Sequence, residues 1–556
     1  MPNTTRVRLA ALAAFGLLAT ASGCTSNHHA QGPGSTAPTA DSTKPTTTTQ
    51  AASGVLDSIT WALPMGEPTT LDPAKSGDYS PNTVEANMCD SLLRVKPDYS
   101  YGPGLAQSWK WSDDKTLVLE IRPDVTFWDG NPLTADDVAF SLNREIDPAN
   151  QSVNAPYFAS VASIAATGSH EVTLKFSQPD ELFFKVLSTE AGAVSEQAYV
   201  KKQGANYGQA AGGLMCSGPY EFGSWSSGQS VTITANPHYW DPTLQPKIHQ
   251  VQFKFVPDAS ALSTGLLSGQ IDGSYEVPLT TMKALANSKI GTRHYGISTQ
   301  STALALANPD TPLADQRLDQ ALALTLDDNA LIKDVYGGSA AMLKTAVPPT
   351  VWQGSDQASI YKQGYDALPD VPASPDIAKA KALVAQAAPS RRTFTVAMAA
   401  GDQASLQLLT FLQAGAKQIG LDFTIKQFQA VDFSNLFYDA SKRAGLDLVV
   451  ANGYVEVPDP LASAPALVTP DGTFNWNKYS NDTVTSLLRQ AQSSLDPAKS
   501  AQLFVQAQAI YTKDMPGIFD AAPNEQMFMN KRISGAPASL AYLNIPWAAM
   551  IGGTGK

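Results

Sequence analysis

A chain of 556 residues with 38 basic against 50 acidic side chains and a formal charge of −12 lacks the electrostatics that grip nucleic acid or an anionic membrane surface. With 43% hydrophobic and 16% charged residues its composition is that of a globular protein, and its length exceeds what one core holds, so two or three domains are expected. Beyond the N-terminus no stretch approaches the roughly 18 uninterrupted apolar residues of a membrane span.

Arg6 and Arg8 precede an apolar run over residues 9–21, too short for a span and laid out like a secretion signal over residues 1–23. Ala21-Ser22-Gly23 then leads to Cys24, the arrangement of a lipobox, in which Cys24 is acylated and becomes the first mature residue. Ala21 stands where leucine is usual, and a plain cleaved signal with a chance cysteine is the alternative. Residues 24–54 are Ser, Thr, Pro and Gly rich, with too little apolar surface to offset ordering entropy, and are expected to be a disordered tether. With Cys24 assigned to lipid, Cys89 and Cys216 remain. An oxidising, exported setting favours a disulfide between them over two separate buried thiols.

Residues 58–63 alternate as a first strand, and residues 84–93 place Glu85, Met88 and Leu92 at helical spacing, with the loop Ser76-Gly77-Asp78-Tyr79-Ser80 before them. The stretch 105–144 is the most explicit. Leu117, Leu119 and Ile121 alternate along a strand, Asp129-Gly130 supplies a reversal, and Thr134 with Asp137 forms a capping box for a helix burying Val138, Ser141 and Leu142. Strands follow at 171–176 and 251–256, a helix ending in Gly269 at 259–269, strands at 394–397 and 421–427 flanking a helix at 405–420, a buried strand at 447–450 and a helix at 500–511. Strands alternating with helices predict an α/β class.

The wording of these segments resembles the family 5 extracytoplasmic solute-binding proteins, the peptide-binding, nickel-binding and related receptors of ABC importers. GPGLAQSW at 102–109, IRPDVTFWDGNPLTADDV at 121–138 and SLNR at 141–144 resemble its signature; Gly218-Pro219-Tyr220, Trp225, Asn236 and Tyr239-Trp240 match a second block in the right order. Residues 269–273, 313–337 with Arg317, 378–387 and 500–511 continue the likeness, which covers residue 55 to the end. It implies a two-lobed periplasmic-binding-protein fold with a hinge: lobe I from 55–96, 191–300 and 521–556, an inserted small domain at 97–190, and lobe II at 301–520. It also implies a monomeric receptor at the outer face of the cell membrane, held there by lipid alone, that closes on a peptide or other small polar solute and presents it to an ABC permease and its ATPase. A receptor for a nonpeptide solute or metal chelate, and a sensor lipoprotein on the same fold, are the alternatives.

Little points to catalysis. The six histidines are scattered without i, i+4 spacing, and no nucleophile elbow, P-loop or dinucleotide glycine motif occurs, so no enzyme activity, cofactor or metal is expected. Acid pairs such as Asp136-Asp137 sit where helix capping accounts for them. The resemblance places ligand contacts elsewhere. Gly453-Tyr454 is similar to the family's Gly-Trp at the cleft mouth, where ligand backbone is added as a strand, and a nearby acid receives the ligand's α-ammonium. The spacing here is one residue short, so that acid's place falls on Glu456 or on Val457. The resemblance thus assigns Gly453, Tyr454, Val455 and Glu456 to one wall and Gly77, Asp78, Tyr79 and Ser80 to the other, with Tyr79, Tyr454 and Trp352 as flat apolar surface. Ala451 stands where peptide binders carry an arginine.

Overall fold

A computed structural model describes residues 44–555, Ala373 and Pro516 excepted, within a single compact unit. The expected signal and Cys24 lie outside the described residues.

Two large sheets dominate. The first has seven strands in the order Gly291–Gly296, Glu525–Asn530, Gly273–Ser274, Leu56–Leu63, Ile248–Phe255, Ser230–Ala235 and Tyr220–Ser226. Leu56–Leu63 runs parallel to both of its neighbours, and the outer strands are antiparallel. Its inward residues Ile59, Trp61, Val231, Ile233, Val251 and Phe253 are buried with Tyr542 and Trp547 from the C-terminal segment. The second sheet has six strands in the order Ala340–Met342, Asp520–Pro523, Gln300–Leu306, Leu448–Tyr454, Thr393–Ala399 and Asp422–Phe428. Against it the helix Gln403–Gln418 packs Leu408, Leu409, Leu412 and Ala416, meeting Phe394, Val396, Leu448 and Val450. A four-stranded antiparallel sheet (Ala106–Asp113, Thr116–Ile121, Glu171–Phe176, Val161–Ala166) with the helix Ala135–Ile146 forms a third core, and the helices Ala358–Asp366, Asp482–Gln492 and Pro497–Asp514 enclose a fourth.

The stretch 105–144 folds as its pattern dictates. Leu117, Leu119 and Ile121 are buried along one face, Gly130 takes a φ of +89°, and Thr134 and Asp137 satisfy each other's backbone N–H in a complete capping box. The helix expected at 84–93 is displaced. It spans Tyr79–Glu85, because Asp78 caps it and the carbonyls of Asn87 and Met88 accept from Tyr220 and Gly218 across the chain instead of from a following turn. At Gly218 a Cβ would lie 2.3 Å from that Met88 carbonyl, so only glycine allows the approach.

The chain passes between the two large sheets twice, over residues 297–299 and at Asn524. The second passage lies beyond the expected break at 520/521, since Asp520–Pro523 pairs with Gln300–Leu306 and Ala340–Met342 in the six-stranded sheet. Of the segment 24–54 expected as a disordered tether, the part from Thr46 to Gly54 is bound to the body. Thr46 N–H donates to Tyr295, Thr49 N–H to Ala536, and Ser53 and Gly54 N–H to Gly553, which holds residues 46–54 against the body by backbone bonds that composition does not reveal.

Candidate functional site

Two short segments face each other where the sheets meet. On the seven-stranded side, the helix Tyr79–Glu85 and the turn after it are held by the C-terminal segment, with Trp547 Nε1–H donating to the Thr83 carbonyl (2.9 Å) and Ala548 N–H to Asn87 Oδ1 (2.7 Å). On the six-stranded side the strand Leu448–Tyr454 runs past its neighbour. Thr393–Ala399 pairs with it only at Leu448 and Val449, so among the described residues Val450 to Tyr454 are strand-paired on the Gln300–Leu306 edge alone. The other backbone edge of these residues is an unfilled strand position.

Beyond this strand the chain is clamped. Val455 N–H donates to the Thr299 carbonyl (3.2 Å) and Thr299 Oγ1–H to the Val455 carbonyl (2.7 Å). Val457 is wholly buried in the third core, Pro458 accepts from the Tyr101 hydroxyl (3.1 Å), and Asp459 pairs with Lys185 (2.5 Å). With Val457 turned into that core, Glu456 faces the opposite segment, and Asn82 Nδ2–H donates both to Glu456 Oε1 (3.3 Å) and to Glu190 Oε2 (3.4 Å). Glu190 sits in the turn Glu190–Gly192, where a Cβ on Gly192 would lie 2.2 Å from the Leu187 carbonyl.

The acids so gathered are held away from their ordinary ionisation. Burial first and Glu456 second push Glu190 well up, and burial raises Glu456. Burial, then Asp72, raises Glu85 to about 8. Buried polar atoms here lack partners: Ser80 Oγ, Asn82 Oδ1, Glu85 Oε1 and Glu190 Oε1. The nearby cations are committed elsewhere. Arg94, which lines a cavity of about 10 Å³ beside Glu85 and Glu190, pairs with Asp90 and Asp241; Arg144 pairs with Asp72 and Lys185 with Glu181 and Asp459. Buried acceptors with no protein cation suit a cationic guest.

The residues singled out from sequence are distributed as follows. Tyr79 and Tyr454 meet across the gap, rings 4.9 Å apart, and the Tyr79 hydroxyl accepts from Gln300 Nε2 (3.3 Å). Gly77 is exposed, and Asp78 is an exposed helix cap that accepts from Tyr79 N–H (2.7 Å). Ser80 is buried, Gly453 is exposed with open space where a Cβ would point, and Val455 is half-buried with both backbone groups bonded to Thr299. Trp352 lies apart, buried in the fourth core and stacked on Tyr361, so it provides no cleft surface. Ala451 is a half-buried strand residue opposite Ala303. Cys89 is bonded to Cys216 with Cα atoms 5.0 Å apart, fixing the end of the segment that carries Asn82 and Glu85. No group of three or more metal-ligating side chains occurs among the described residues. Sequence inspection missed Asn82, Glu85 and Glu190. The first two share a helix face at i, i+3, but Glu190 gives no local signal.

The description "Bacterial extracellular solute-binding proteins, family 5 Middle" matches residues 100–475. A probable D,D-dipeptide-binding periplasmic protein, DdpA of Escherichia coli K12, is 26% identical over 481 residues, covering 84% of this chain and 89% of the relative. The glutathione-binding protein GsiB of the same strain is 24% identical over 457 residues, covering 81% and 86%. Among solved structures, the oligopeptide-binding protein AppA of Bacillus subtilis, in complex with a nonapeptide, superposes with a TM-score of 0.71 at 20% identity over 89% of this chain and 98% of its own.

Proposed function

Because the chain belongs to the family 5 bacterial extracellular solute-binding proteins, we propose that it is the substrate receptor of an ABC importer for short peptides with a free amino terminus. One observation carries this reading: the unpaired edge of Val450 to Tyr454 leads directly into Glu456, which faces Asn82 and Glu190 with no protein cation between them. An extended peptide adds to the strand edge through its backbone, and its α-ammonium takes the place between Glu456, Glu190 and the unpartnered Asn82 Oδ1. Tyr79 and Tyr454 then cover the ligand. Relatives described as binding D,D-dipeptides and glutathione accord with small peptides as the class.

The lobes are the bodies built on the seven- and six-stranded sheets, with the four-stranded unit inserted in the first, and the passages at 297–299 and Asn524 act as the hinge. Ligand between the lobes shifts the population toward the closed form that a permease recognises. Lipid on Cys24 holds the receptor at the outer face of the cell membrane. Thermal-shift and calorimetric screening of di- to pentapeptides tests the assignment. Free-amino peptides raise the melting temperature, and Glu456→Gln weakens them about 10- to 100-fold, the worth of a charged hydrogen bond, while N-acetylated forms change little. Equal losses for both forms remove Glu456 from the role, and a nonpeptide ligand copurifying where no peptide stabilises overturns the class.

A further inference from the structure

A second pair of acids lies beside the passage at Asn524. Glu525 opens the strand that follows the passage at Asn524 and is only 1% exposed. One of its oxygens accepts from Glu276 N–H (2.8 Å), and the other, Oε2, has no hydrogen-bond partner. Glu276 itself stands at φ +53°, a left-handed conformation costly for a side chain of its kind and retained where surrounding structure enforces it. Its carboxyl accepts from the hydroxyl of Tyr542, a fully buried ring stacked 3.7 Å from Tyr275. Tyr542 belongs to the turn Leu540–Asn544, which packs against the helix Tyr79–Glu85, and Gly296, opposite Glu525, leads into the passage at 297–299, so the two acids adjoin the junction of the sheets beside the first cluster; among the described residues neither is in an ion pair.

We propose that Glu276 and Glu525 form a second cation subsite, so that the ligand carries two positive groups: an α-ammonium at Glu456 and Glu190, and a basic side chain of lysine or arginine type at Glu276 and Glu525. The inference rests on the peptide reading for the first group, while the second stands on the unpartnered Glu525 Oε2. Glu276 held in the left-handed region keeps its carboxyl beside Tyr542 and its N–H on Glu525, whose other oxygen is left free.

The test uses the full chain and two matched peptide series, one with lysine and one with the uncharged isostere norleucine at each position in turn, each free and N-acetylated, together with 1,5-diaminopentane. At one position lysine is expected to bind about 10- to 100-fold tighter than norleucine. Glu525→Gln abolishes that preference but keeps discrimination against N-acetylation; Glu456→Gln does the reverse. Glu276→Gln, which retains an acceptor for Tyr542, repeats the first result if Glu525→Gln folds poorly, as judged by its melting profile. Peptides that bind with no lysine preference at any position overturn the second subsite and leave the peptide reading standing. If no peptide binds, yet the diamine does and loses affinity in Glu525→Gln, the subsite stands and the peptide reading falls. Failure of peptides and diamine alike overturns it.

Discussion

At the scale of single residues the site turns on which of two neighbours points inward. The one-residue contraction after Gly453-Tyr454 leaves Glu456 and Val457 equally eligible on sequence, and the difference is made by a core more than 250 residues earlier in the chain. Val457 fills it in one cluster with Leu92, Leu105 and Phe183, while Glu456 accepts from Asn82 on the opposite segment. Val457→Asp therefore buries a charge without a partner and is expected to cost on the order of 3 kcal/mol or more. A large fall in melting temperature would register it; an unchanged melt would mean that Val457 is not sealed in that core. Glu85, Glu190, Glu276 and Glu525 were illegible for a related reason. Each is one acid in an unremarkable context, and what singles them out is burial without a cation, which arises only when segments hundreds of residues apart close together. Asp78 was legible as a loop acid and is spent on capping the helix beside it.

Among the elements, those whose instructions are local were readable and those governed by distant backbone were not. The helix Ala135–Ile146 is specified by Thr134, Asp137 and its apolar stripe, all within a dozen residues. The helix Tyr79–Glu85 depends on carbonyls claimed by Gly218 and Tyr220, which no window around residue 84 contains. The two therefore respond differently to substitution. Thr134→Ala removes the capping box at about 1 kcal/mol, lowering the melting temperature by a few degrees while peptide affinity stays within about twofold, as calorimetry on the purified variant would show. A larger affinity loss would tie the inserted unit to ligand binding. Replacing Cys89 and Cys216 together by serine frees the segment that bears Asn82 and Glu85, and a loss of about 2–5 kcal/mol is expected. An unchanged melt and affinity would show that the surrounding backbone bonds suffice.

For the whole molecule the buried acids set a pH dependence. Burial raises Glu85 to about 8 and Glu145, Asp328, Asp520 and Glu525 to about 7, each above its ordinary value near 4. A group raised on folding contributes stability that is full below its unfolded value and fades as pH rises through the folded one, so the ligand-free protein melts higher at pH 5 than at pH 8. His294, lowered to about 4 by burial, opposes this between about pH 4 and 6.5, because folding holds it neutral. A cationic ligand charges the acids at its site and releases their protons, so its stabilising effect is larger at pH 8 than at pH 5.5. Thermal melts with and without ligand at both values check this, and a ligand shift independent of pH would separate binding from these acids.

The backbone bonds joining Ser53 and Gly54 to Gly553 carry a practical consequence for anyone building a biosensor from this protein. Gly54 and Gly553 lie side by side on the seven-stranded half, so fluorophores attached at these two points would move as one and stay silent under the closure proposed above. Informative labels belong one on each sheet. The same proximity suits circular permutation: a short glycine linker can close the old ends, and a reporter domain can open new ones beside the gap that its signal is meant to follow.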